Sequence, residues 1–356
     1  RRLVCDKSHP LRFNLAMELA VLEKAATDLM WELIDSFIAN ESKFSVLDAL
    51  LRSLDWLWRG GAKQVMARLK RIEERSLTAP AENGIHETLA HLHLFHSLRT
   101  GDAESEEFIR RLIADCDSER AIRALSAQLH SCRAGGWLTA GDAVSQDAHA
   151  DAVRARTWRF FSELLEAAQA KLKTHREAWI KLHEHDHPDA EAAKPLKEQL
   201  DRATRLVDAV AMQLYFASGA FADRTKKEEK ELTPHQLRRF WNESAPLLNA
   251  LASEMHPHTA HHIVQTLFHL LPYSPREVFL LATRSIRSSA KAGFQHESLA
   301  VGDVVKLIRR SLADHREIFQ SDSECLAALL DVLDLFVEAG WSEARQLTQR
   351  LEEIYR

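Results

Sequence analysis

Apolar residues recur at spacings of three and four from Leu11 to Tyr355, and glycine and proline are too scarce to interrupt them often. An α-helix turns once every ~3.6 residues, so this spacing lines one face of helix after helix. The 11 glycines and 9 prolines of the 356 residues fall mostly between the periodic segments, where reversals need them. No strand–glycine–helix element offers a phosphate loop. The chain is predicted to be all-α.

The period and the breaks place the helices. A long one is expected over 14–39, with Leu15, Leu19, Leu22, Ala26, Leu29, Leu33 and Phe37 inward. Helices over 46–59 and 62–75 follow, separated by a stop at Gly60-Gly61. Three shorter ones are expected over 85–99, 105–114 and 119–134, then a loop over 138–146. Two long segments, 148–185 and 192–218, are joined by a short polar connection and read as an antiparallel hairpin. The charge run over 223–231 reads as a solvated helix end or mobile loop. Beyond it, helices are expected over 234–242, 244–255, 258–271, 275–291, 299–317, 323–339 and 342–355. Thr233-Pro234 supplies a cap and a first-turn proline, and Ser274-Pro275-Arg276-Glu277 has a capping-box pattern. The expected architecture is an irregular, HEAT-like helical-hairpin solenoid or multi-helix array around a central long hairpin, with a compact bundle as the competitor. Its divisions are an array over 1–145, the hairpin over 146–222 and helical repeats over 232–356.

A chain of this length exceeds one ordinary core and implies several domains or an elongated array. The formal net charge of -5 argues against a globally basic nucleic-acid binder. No apolar run approaches the ~20 residues of a membrane span, and no signal peptide precedes the fold. Cys5, Cys116, Cys132 and Cys325 are scattered without a C-x-x-C pair, which reads as reduced thiols in the cytoplasm. The start at Arg1, without a methionine, leads us to expect a C-terminal piece of a larger protein whose chemistry lies upstream.

Histidine is the unusual residue, with 19 in the chain. The densest group is His256-Pro257-His258-Thr259-Ala260-His261-His262. A helix starting at Pro257 puts His258 and His262 on one face, a spacing that can chelate Zn²⁺, with Glu254 as the candidate third ligand. The competing reading is helix-start histidines partly in solvent. His183-Glu184-His185-Asp186-His187 lies at the expected hairpin tip and reads as a solvated turn. His86, His91, His93 and His96 share one helix and read as packed histidines.

No nucleophile elbow is present, and Cys132 and His130 are two apart, which on a helix do not face each other. Arg68, Arg71 and Arg75 fall largely on one side of their helix and could track a phosphate backbone. Glu73 and Glu74 interrupt them, and intrahelical ion pairs are the plainer account. Among the 8 tryptophans, Trp56, Trp58, Trp137, Trp241 and Trp341 sit near helix ends or turns; any that is exposed is a candidate binding anchor.

Three stretches carry a family likeness: Ser274-Pro275-Arg276-Glu277-Val278-Phe279, Gly293-Phe294-Gln295-His296-Glu297-Ser298, and Phe336-Val337-Glu338-Ala339-Gly340-Trp341 with the closing helix. The last ~80 residues thereby resemble the helical C-terminal end of large bacterial multidomain ATP-binding proteins, some linked to phage defence. The resemblance implies an upstream nucleotide-binding module and a helical array that senses or scaffolds. It assigns no catalytic residue here. The expected function is a non-enzymatic helical scaffold or sensor, with no cofactor, whose partners are proteins or upstream domains of the same polypeptide. The alternatives are a metal-dependent or metal-stabilised helical protein using the His256–His262 cluster, and a nucleic-acid-binding array.

Overall fold

A computed structural model describes residues 2–139, 148–183, 190–221 and 232–355. Among the described residues every regular element is helical. The hairpin tip at 184–187 and the charge run at 223–231 lie outside them. The chain divides into two compact units, Arg1–Gln128 and Leu129–Arg356. The division falls inside one helix, and the long central pair, which packs on the helices that follow it, belongs to the second unit.

The first unit holds α1 (His9–Glu18), α2 (Thr27–Asn40), α3 (Phe44–Ser76), α4 (Ile85–Thr100), α5 (Ala103–Ala114) and the start of α6 (Glu119–Ala134). Its core is aliphatic and runs through Met30, Ile34, Phe37, Leu47, Leu50, Leu54, Leu69 and Leu89. The expected single helix over 14–39 is two, because the chain tightens into a 3-10 turn at Leu19–Leu22 before α2 begins. The expected stop at Gly60-Gly61 is a kink: α3 runs on through Gly61, at φ -152 and ψ 43. The ring of Trp31 would stand 3.3 Å from a Cβ there, so the absent side chain admits the indole against the bend. At the end of α4, Gly101 takes a left-handed φ of 72 and its N–H closes on the Ser97 carbonyl, a turn that favours glycine.

The second unit pairs α7 (Ala148–His183) with α8 (Ala190–Ala217). Val153, Phe161, Leu164, Leu165, Ala168 and Leu172 of α7 are buried, as are Ala203, Leu206, Val207, Val210 and Leu214 of α8. Past Leu172 and before Ala203 no described side chain of the pair is fully buried. Next come α9 (Pro234–Leu251), α10 (Pro257–Leu270), α11 (Pro275–Ala290), α12 (Ser298–Asp314), α13 (Glu317–Ser321), α14 (Ser323–Glu338) and α15 (Ser342–Tyr355). α9 spans both of the short helices expected over 234–255 and carries Pro246 within it. The capping box at Thr233 is formed, with Gln236 N–H donating to Thr233 Oγ1 and Thr233 N–H to Gln236 Oε1. The one expected at Ser274 is not: its hydroxyl donates to the Glu277 carboxylate, and no cap bond reaches the backbone. Phe279 of α11 meets Phe319 of α13 edge to face at 4.9 Å, and Ile286, Phe294, Leu329, Val332 and Phe336 complete this core. α10 packs on both α8 and α11. No described helix is long and apolar enough to cross a membrane.

Candidate functional site

Pro257 opens α10, as its fixed φ and missing N–H suit a first helical position. That start places His258 at the second position and His262 one turn on. α8 packs alongside and brings Asp208 against them. His258 Nδ1 lies 2.9 Å from Asp208 Oδ2, and Thr259 donates its hydroxyl to Asp208 Oδ1 at 3.2 Å. The rings of His258 and His262 stand 4.8 Å apart, nearly perpendicular at 84°. Donor atoms of Asp208, His258 and His262 all fall within 4.8 Å of one another, and among the described residues these three could hold a metal ion together.

The three differ in environment. His258 is open to solvent, with a side chain 61% exposed, and Asp208 is half-buried. Both ring nitrogens of His262 are buried and have no hydrogen-bond partner. Burial holds the His262 imidazole down to a pKa of about 4 against the pull of Asp208, so it is neutral near pH 7. Tyr215 of α8 flanks it, with ring centroids 5.4 Å apart. Glu254, the carboxylate expected to complete the set, is engaged elsewhere: its Oε1 accepts from Gln169 Nε2 at 2.7 Å. Asp208 stands in its place. It lies fifty positions from His258 in sequence, and only the packing of α8 on α10 joins them.

The arginine stripe is not a free basic surface. Arg68 is buried, donates to Asp35 Oδ2 at 2.6 Å and lies 4.3 Å from the centre of the Trp31 ring. Arg71 donates to the other Asp35 oxygen. Arg75 donates to the carbonyls of Ile38 and Glu41, closing the C-terminal end of α2, where helix carbonyls lack their own donors. The three guanidinium groups fasten α3 to α2, which corrects the expectation that they face a phosphate backbone.

The histidines of α4 are packed as expected. His86 Nε2 lies 3.2 Å from the Pro80 carbonyl and His91 Nδ1 3.2 Å from Gln128 Oε1. His93 stacks on Phe108 at 4.0 Å, and His96 meets Trp58 at 3.7 Å with the rings tilted by 56°. Burial lowers the His93 pKa to about 4. Cys116, Cys132 and Cys325 are buried, and burial pushes the Cys132 thiol far above its ordinary value.

The tryptophans part company on α3. Trp58 turns inward onto His96, whereas Trp56 is 78% exposed. The N–H of Ala20 donates to Ser53 Oγ at 2.8 Å, so the 3-10 turn at Leu19–Leu22 rests on α3 one turn before Trp56. Val21, next to that anchor, is 74% exposed. Comparison with family models, with curated proteins and with solved structures finds no match to this chain.

Proposed function

We propose that this chain is a non-enzymatic helical scaffold that binds another protein through its first unit. The observation that carries the reading is Trp56, a large indole held out in solvent from a helix whose other face is fully packed. Trp and Tyr supply wide, rigid, apolar contact area, and interface hot spots are enriched in them. Val21, exposed next to the Ala20–Ser53 contact, is a second apolar side chain open to a partner. Among the described residues, six of the eight exposed large apolar side chains lie in the first unit, which directs the proposal there. The resemblance of the last ~80 residues to ATP-binding multidomain proteins makes an ATP-binding module, on the same polypeptide or another, a natural partner.

The test is affinity capture from the cells that make the protein, comparing the wild-type chain with Trp56→Ala and Val21→Ser. A stoichiometric partner retained by wild type and by Ile180→Ser, and lost from both first-unit variants, supports the reading. Equal capture by all four chains, or by none, overturns it. Circular dichroism confirms that each variant is folded.

A further inference from the structure

We propose that Asp208, His258 and His262 bind one divalent transition-metal ion of the Zn²⁺ class, which clasps α8 to α10 in the second unit. The inference begins from His262. A neutral imidazole carries one N–H and one lone pair, and both nitrogens of this ring are buried without a partner. A buried polar group left so costs about 1–3 kcal/mol. An ordinary ion pair between His258 and Asp208 accounts for those two residues and leaves His262 unexplained. An ion held by all three gives a His262 nitrogen the partner it lacks.

The donor set selects the ion. Two imidazoles and one carboxylate suit Zn²⁺, Co²⁺ or Ni²⁺, while Mg²⁺ and Ca²⁺ prefer oxygen throughout. In a tetrahedral site with bonds of about 2.0–2.2 Å, two donors on one ion stand ~3.3–3.6 Å apart. The donor atoms, now within 4.8 Å of one another, close to that when the side chains turn inward. His258 is the residue free to turn, since it is exposed and bonded to nothing but Asp208. Thr259 holds the second oxygen of Asp208 and so orients the carboxylate from outside the ligand set, the usual service of an outer hydrogen bond to a metal ligand. Two ligands come from one helix and the third from its neighbour, so binding fastens an interface as well as filling a site. Three protein ligands leave a four-coordinate ion one position, on the solvent side beside His258.

The experiment uses the full chain without a histidine tag, stripped with chelator and titrated with Zn²⁺ in competition with a chromophoric chelator. One ion per chain is expected. His258→Ala and Asp208→Asn each weaken it by about a hundredfold or more, beyond the 10–100-fold typical of losing an outer partner. Glu254→Gln and His296→Ala leave it unchanged. Co²⁺ substitution gives ligand-field bands of a nitrogen–oxygen site without thiolate charge transfer. Because His258 is exposed, His258→Ala folds normally, and circular dichroism verifies it. Stoichiometry near zero overturns the proposal. So does equal affinity in wild type and His258→Ala, which assigns the ion to other histidines.

Discussion

Asp35 and Arg68 hold one another at 2.6 Å between α2 and α3, under the ring of Trp31. The guanidinium is almost out of solvent, and Asp35 is its anionic partner. Asp35→Ala leaves a buried cation without a counter-charge and is expected to cost about 1–3 kcal/mol. Glu107→Ala, whose side chain and partner Arg110 are both more than half exposed, is expected to stay within about 0.5 kcal/mol. Urea unfolding of the two variants against wild type makes the comparison.

Trp56 and Trp58, two positions apart, predict opposite outcomes. Trp56→Ala removes a side chain that touches little and should change stability by no more than about 0.5 kcal/mol. Trp58→Ala opens a gap against His96 and should cost about 3 kcal/mol or more. Equal losses in thermal denaturation would contradict the assignment of one to the surface and one to the core.

His93 makes the first unit sensitive to acid. Its folded-state pKa of about 4 lies below the ~6.5 of an unfolded histidine, so the unfolded chain takes up the proton first as pH falls. Stability from this group is full above pH ~6.5, declines between ~6.5 and ~4, and levels off below, a loss of up to about 3 kcal/mol. The thermal midpoint of His93→Leu, followed against pH beside wild type, should lack this part of the acid limb.

The thiols should divide one against three. Cys5 is exposed, while Cys116, Cys132 and Cys325 are buried, and burial raises the Cys325 thiol to about 11. A thiol-reactive dye on the native chain should label one group promptly and the remainder after denaturation. Prompt labelling of Cys132 would refute the packing around α6.

Helix existence was legible in the sequence because each helix divides its own residues between core and water. The ends of α6, α14 and α15 fall within a residue of where the apolar period and the caps put them. The breaks were not. At Gly61 the helix bends instead of stopping, against the ring of Trp31, thirty positions earlier, which would stand 3.3 Å from a Cβ there. The pairing of His258 with His262 could be read because both lie on one helix, one turn apart. Asp208 could not, since its place beside them is a product of packing between helices. The surroundings of the arginine stripe were hidden for the same reason: Asp35, which pairs with Arg68 and Arg71, lies on another helix.

The outer turns of the α7–α8 pair, beyond Leu172 and before Ala203, carry no fully buried described side chain. Nothing in the core therefore registers how far the pair extends. Adding or removing matched turns there would leave the buried contacts of the pair in place, so among the described helices this is a stretch that can change length, and take an inserted tag or reporter, with little disturbance to the fold.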